Sequence, residues 1–315
     1  MHDAPINLVD RLRGGLYGML TGDALGVPYE FHPAARIPPA GAIEMDPPAG
    51  FPRAHRGTPP GTWSDDGAQA LALLASLLDR GGLDVDDFGR RLVAWYDDGA
   101  YAVDARVFDC GIQTRLAVDR LKAGARAAEA GGAGERDNGN GSLMRVLPLA
   151  LFCDGDDAEL ARLAMDQSSP THAHPRARAA CALYCLWARR ELVAVGDAFA
   201  DAAEALGAIL GDGPEGRELE EHLRPRDPPT GRGSGYVVDC LASARMVCAG
   251  AGDFESIVKA AIALGDDTDT TACVAGGIAG IRHGERAIPA RWSEALRGRA
   301  IVDPLADRLV ARRAR

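Results

Sequence analysis

The sequence lacks any run of 18 apolar residues, so it offers no candidate membrane span. Residues Met1 to Asp10 have neither a basic start nor an apolar stretch, which reads as the absence of a secretory leader. Cysteine is sparse and dispersed. The seven (Cys110, Cys153, Cys181, Cys185, Cys240, Cys248 and Cys273) form no Cys-x-x-Cys pair. They are expected to be reduced core thiols of a cytoplasmic protein, not a disulfide framework. Positive charge is short as well: 35 Lys and Arg stand against 45 Asp and Glu, a net charge of −10. That balance argues against a general binder of nucleic acid or anionic membrane. It leaves room for a local pocket that takes a small phosphorylated ligand. Strand-like alternation is almost absent, and no repeat of 20 to 50 residues is evident.

What is present is helix. The 315 residues, 47% hydrophobic and 25% charged, are ordinary for a folded chain with ample core. Period-3.6 apolar patterns predict helices over 9–25, 64–79, 84–97, 107–130, 142–151, 156–167, 176–195, 196–210, 236–249, 254–264 and 272–281, with two short helices over 290–315. The first carries glycines between its apolar positions, so something packs against it closely. Two Pro- and Gly-rich stretches, 28–60 and 211–235, read as loops, because neither separates a self-sufficient pattern. The expectation is a compact, multi-helix, all-α protein, a single domain over 1–315.

Acid is concentrated at Gly265-Asp266-Asp267-Thr268-Asp269-Thr270-Thr271, between two apolar helix patterns. Packed anions repel, and burying them costs several kcal/mol unless something offsets it. One answer is a helix N-terminus with Asp269 as cap and the helix beginning at Thr270. The other is a hard divalent cation held by oxygens. A single cap leaves Asp266 and Asp267 unexplained. The calcium-loop pattern fails, since Ala272 and Ile278 stand where Gly and Glu are needed. The Asp-x-Asp-x-Thr pattern of haloacid-dehalogenase-type phosphatases matches Asp267, Asp269 and Thr271, but it belongs after a β-strand.

Ser64-Asp65-Asp66-Gly67 opens a second helix in the same style. If the two acidic helix starts face each other across a core, their carboxylates call for two divalent ions. Gly139-Asn140-Gly141-Ser142-Leu143-Met144-Arg145 reads as a glycine-rich loop entering a helix, a phosphate cradle in principle. Thr171-His172-Ala173-His174-Pro175 is a turn suited to capping or substrate contact more than to zinc, for want of a third soft ligand. Gly22-Asp23-Ala24-Leu25-Gly26 places an acid inside an apolar helix, with Glu30 just beyond its end.

Taken in order, Gly22-Asp23-Ala24-Leu25-Gly26…Glu30, Ser64-Asp65-Asp66, Asn138-Gly139-Asn140-Gly141-Ser142…Met144-Arg145, Thr171-His172…His174-Pro175 and Gly265…Asp267-Thr268-Asp269-Thr270 resemble the ADP-ribosylglycohydrolase family. The resemblance spans about residues 10 to 285. It implies an all-α fold with two Mg²⁺ or Mn²⁺ ions in a central cleft. It implies Ser64, Asp65, Asp66, Asp267, Asp269 and Thr270 as metal ligands. Asn138, Gly139, Asn140, Gly141, Ser142, Met144 and His172 would meet the substrate, with the loop holding its diphosphate. Catalytic proton transfer falls to Glu30 or Asp66. Arg145 is expected to help hold phosphate. The chain departs from many members after Asp66, where Gly67, Ala68 and then Gln69 stand in place of Thr and an immediate Glu or Gln. The activity implied is hydrolysis of the glycosidic bond between ADP-ribose and a modified target. That target is a protein side chain or a small ADP-ribosyl conjugate, with modified nucleic acid left open. A monomer is expected. A non-catalytic ADP-ribose binder of the same fold and the phosphatase are the alternatives.

Overall fold

A computed structural model describes residues 6–250 and 252–314. Residues 1–5, 251 and 315, which include half of the stretch on which the leader reading rests, lie outside it. Fifteen α-helices are present among the described residues: α1 (Leu8–Gly26), α2 (Asp65–Arg80), α3 (Val85–Asp98), α4 (Ile112–Lys122), α5 (Ala127–Ala130), α6 (Leu147–Phe152), α7 (Asp157–Ser168), α8 (Pro175–Leu192), α9 (Ala198–Leu210), α10 (Pro214–Glu218), α11 (Val237–Ala249), α12 (Phe254–Ile262), α13 (Thr268–His283), α14 (Ala290–Ala295) and α15 (Arg299–Arg313). The fold is all-α, as the periodicity predicts. Three isolated bridges, Pro33–Gly265, Gly132–His172 and Gly139–Tyr236, are the β-features among the described residues, and each ties one loop to another. The sheet that a phosphatase of the dehalogenase type needs is not found there, and the acidic motif follows α12.

At the centre lies an antiparallel pair of helices, α1 and α13. Gly14, Gly18, Gly22 and Gly26 recur every four residues, so they share one face of α1. A Cβ at Gly18 or Gly22 would fall on the carbonyl of Gly276 or Ala272, and one at Gly26 would fall on the Asp269 backbone. The backbones therefore touch where side chains would otherwise stand. This close approach brings the N-terminus of α13 beside the C-terminus of α1, and with it the acidic stretch. The two helices are buried almost all round, as is α8. Packing, not amphipathicity, stabilises them.

Four expectations are corrected. The 107–130 pattern is not one helix: an extended segment ends at Asp109, whose φ is 56°, and Gly124 at φ 93° separates α4 from α5. No helix begins at Ser142; turns run to Arg145, and α6 starts at Leu147 with Pro148 in its first turn. The 211–235 stretch contains α10, which Pro214 opens, because proline at a helix start gives up an N–H that has no partner anyway. The second helix of the tail is 15 residues long, with Pro304 inside it.

Candidate active site

The first turn of α2 owes its stability to a residue from another helix. Asp23, fully buried on α1, accepts the Ser64 N–H at 2.9 Å and the Gly67 N–H at 2.8 Å. The Ser64 hydroxyl accepts the Asp66 N–H at 3.3 Å. The N–H groups of Ser64, Asp66 and Gly67 at the helix start are thus satisfied without the Asp65 or Asp66 carboxyls. Asp65 accepts from the Gln69 amide at 2.9 Å. Asp66 accepts from the Thr270 hydroxyl at 3.3 Å, and its Oδ2 has no partner. Gly67 is required here, since a Cβ would meet Leu20 at 2.7 Å and Trp63 at 2.8 Å. The departure from the family pattern is therefore a packing solution.

The facing cluster starts α13. The helix begins at Thr268, not Thr270, and Asp267 holds the N-cap position without making a cap bond. Asp267 accepts from the Asn140 side-chain amide at 2.8 Å. Asp269 is fully buried; its Oδ1 accepts the Thr270 N–H at 2.9 Å, and its Oδ2 has no partner. Asp266 is exposed and left-handed at φ 63°. Its N–H donates to the His32 carbonyl at 2.7 Å, and its own carbonyl accepts the Phe31 N–H at 2.7 Å. That backbone pairing is its role. It lays the 30–33 segment across α13, so that oxygens of Glu30, Asp267 and Asp269 lie within 4.8 Å of one another.

Two further residues at the site, His55 and Asp109, carry no signal in the sequence. His55 Nε2 lies 2.5 Å from the Glu30 carboxyl and 3.9 Å from Asp109. Glu30, His55 and Asp109 form a second group able to hold a cation. No spacing or motif marks His55 or Asp109, because each is a single residue in an irregular segment.

Burial dominates the electrostatics. It pushes the carboxyls of Asp65, Asp66 and Asp269 well above the usual range, and that of Asp267 upward, with neighbouring acids adding to it. Glu30 is pushed up to about 11 by burial and then by Asp109, Asp267 and Asp66. Asp23 reaches about 7, since burial outweighs the N–H groups it accepts. These clusters floor a cavity of about 700 Å³. Seven of its lining residues carry carboxyls (Glu30, Asp65, Asp66, Asp109, Glu135, Asp137, Asp267), against one cation, Arg136. The donor set fits a hard divalent cation: it is almost wholly oxygen, and two buried carboxylate oxygens, Asp66 Oδ2 and Asp269 Oδ2, have no partner.

The opposite wall is the 138–141 loop. The Asn138 carbonyl accepts the Val237 N–H, and the Asn140 N–H donates to the Gly235 carbonyl, both at 3.0 Å. His172 lines the cavity against Gly141, where a Cβ would lie 2.8 Å from the ring. Burial and Arg145 hold His172 neutral, at about 3. Asn138, Gly139, Asn140, Gly141 and Met144 line the cavity; Ser142 does not. It is fully buried behind the wall, and its hydroxyl accepts from Ser168 at 2.8 Å. Ser64 and Asp269 also lie just beneath the lined surface. Arg145, expected at the phosphates, is fully buried instead. It donates to Gln69 and Thr171 at 2.8 Å and to the Gln167 carbonyl at 3.1 Å, so it braces Asp65 and His172 from behind. His174 caps α8 by accepting the Arg176 N–H at 3.1 Å.

A family model described as ADP-ribosylglycohydrolase matches residues 4–315. An ADP-ribosylarginine hydrolase Tri1 of Pseudomonas putida (strain GB-1) is 32% identical over 98% of this chain and 80% of that protein. The Serratia proteamaculans (strain 568) protein of the same name is 29% identical over 96% and 79%. The ADP-ribosyl-[dinitrogen reductase] glycohydrolase of Rhodospirillum rubrum is 30% identical over 90% and 89%. Among solved structures, an ADP-ribosylglycohydrolase-related protein complex superposes with a TM-score of 0.77 at 32% identity, covering 97% of this chain and 99% of that one.

Proposed function

This chain belongs to the ADP-ribosylglycohydrolase family and hydrolyses the glycosidic bond to ADP-ribose; on that premise we propose that it removes ADP-ribose from arginine side chains with the help of two divalent cations, Mg²⁺ or Mn²⁺. The arginine linkage rests on the names of the two Tri1 relatives. The observation that carries the metal reading is the pair of acidic helix starts meeting at the cavity floor, each with an unpartnered buried carboxylate oxygen. Ser64, Asp65 and Asp66 from α2, with Asp267, Asp269 and Thr270 from α13, are the proposed ligands. Bound cations would fix the ribose hydroxyls and lower the pKa of a water.

The reaction breaks the bond between the anomeric carbon and a guanidinium nitrogen; a water oxygen takes that carbon, and a proton goes to the leaving nitrogen. Glu30 and Asp66 are the groups we assign to proton transfer. Glu30 holds its proton in a buried acidic setting, as a general acid requires, and His55 fixes its orientation. Asp66 offers an unpaired oxygen toward the floor as a base. His172, neutral and locked by Thr171 at 2.8 Å, contacts substrate as a donor or an acceptor without adding charge. The reading takes the protein as a cytoplasmic monomer, one domain long, acting on an ADP-ribosylated protein or small conjugate. Among the described residues no helix is long and apolar enough to cross a membrane.

The test is the double variant Asp267→Asn with Asp269→Asn, assayed on ADP-ribosylarginine with and without Mn²⁺. Second-sphere changes alone cost metal sites roughly 10–100-fold, so losing two ligands is expected to cost at least about 100-fold in turnover. Thermal stabilisation by Mn²⁺ should vanish with it. Unchanged, metal-dependent turnover would overturn the assignment.

A further inference from the structure

A diphosphate entering this cavity meets an acidic wall, so its oxygens need donors. Among the described lining residues, three carry side-chain amides, and two of these are committed. The Asn140 amide donates to Asp267 at 2.8 Å, and the Asn138 amide donates to the Glu135 carbonyl at 3.0 Å. Arg136 is exposed on the rim. The remaining amide belongs to Gln113, in the first turn of α4.

Gln113 is anchored at one end. Its Oε1 accepts the Gly139 N–H at 2.9 Å, which fixes the amide and leaves Nε2 as its free end. A Cβ at position 139 would stand 2.6 Å from Gln113 Oε1, so glycine admits the contact without displacing the amide. Nε2 is buried and has no partner, although the side chain lines the cavity. A buried donor left unmade is costly, and a neutral donor beside seven carboxylates is a rare asset for holding an anion. Gln113 also takes up the Gly139 N–H, which the glycine-rich loop would otherwise offer to phosphate. The amide thus replaces a backbone donor with a side-chain one.

We infer that Gln113 Nε2 donates to an oxygen of the substrate's diphosphate and sets the affinity for the ADP-ribosyl half, whatever the target attached to it. The inference rests on the ADP-ribose reading above.

Gln113→Glu tests it. The carboxylate keeps an acceptor for the Gly139 N–H and replaces only the unpaired donor with negative charge. Calorimetry at pH 8 would compare the wild-type and variant proteins with ADP-ribose, ADP and adenosine as separate ligands, beside steady-state kinetics. Hydrogen bonds to charged groups predict a loss of roughly ten- to hundredfold in affinity for ADP-ribose and ADP, with adenosine unaffected. KM should rise by a similar factor while kcat holds. Gln113→Met, which removes both ends, should weaken the same two ligands, and its melting temperature reports any loss of folding. Equal affinity of wild-type and Gln113→Glu proteins for ADP-ribose would overturn the inference. So would an equal loss for adenosine, which would make Gln113 a reader of the nucleoside, or a fall confined to kcat. Failure of the wild-type protein to bind ADP-ribose or turn over substrate would instead overturn the underlying reading.

Discussion

Glu30 stands where three loops meet: His55 holds one of its oxygens, Asp109 lies within 4.8 Å of it, and Asp267 and Asp269 face it from the start of α13. Replacing it with glutamine keeps the size and the contact with His55 but removes the titratable carboxyl proton. Glu30→Gln is expected to lower kcat by about 10²–10⁴, while Mn²⁺ still raises the melting temperature. Single-turnover measurements on ADP-ribosylarginine check this, and near-normal kcat would shift proton transfer to Asp66 alone. Asp66, Asp267 and Asp269 were legible in the sequence because acids massed with hydroxyls at helix starts demand compensation, whereas Glu30, a lone acid past a helix end, was marked by the family resemblance. Asp109 and His55 were not, since only the tertiary fold brings them to Glu30. Arg145 and Ser142 show the opposite failure. Their loop does line the cavity, but the chain turns at Ser142, and the two side chains point inward to partners supplied by α2, α7 and the 171 turn.

Between the elements, the α1–α13 contact decides whether the two acidic starts meet. The sequence announced a close neighbour through the glycines of α1, though not which helix it was, because a small-residue stripe specifies distance and not identity. Gly22→Ala places a methyl on the Ala272 carbonyl in a contact with no slack. Overpacking of this kind costs about 1–3 kcal/mol, and the shift should also open the gap between Asp66 and Thr270. Urea unfolding and Mn²⁺ affinity, measured together, should both decline. Gly207→Ala is the control. Gly207 lies inside α9 with no atom within 4 Å of a Cβ, so alanine there should add roughly 0.5–1 kcal/mol of stability and leave metal binding unchanged. The elements that were misplaced have a common cause. Apolar spacing runs on through 107–130 although Asp109 and Gly124 take left-handed backbone, and Pro214 starts a helix inside a stretch whose proline and glycine content predicts a loop.

For the whole molecule, the acidic centre links folding to pH and to cations. A carboxyl whose pKa is raised in the fold contributes stability that is present at low pH and is lost as pH rises through its folded value. Asp23, raised to about 7, sets the window, with Asp65, Asp66, Asp267 and Asp269 shifted in the same direction. Surface acids such as Asp157 and Glu44, held low by arginines, work the other way, but they lose their contribution only at more acidic pH. Between pH 5 and 8, protein freed of cations with a chelator should therefore melt at a falling temperature. A cation saturating the site at about 100 times its dissociation constant adds roughly 2.7 kcal/mol, or about 4 °C for a chain of this size. Because binding needs ionised carboxylates, it competes with protons. The stabilisation by Mn²⁺ or Mg²⁺ should thus be larger at pH 8 than at pH 5, and calorimetric scans at the two pH values compare them directly. A cation effect of equal size at both would mean that the ions bind away from the α2–α13 floor, and the acidic centre would then be structural, kept neutral by its own protons.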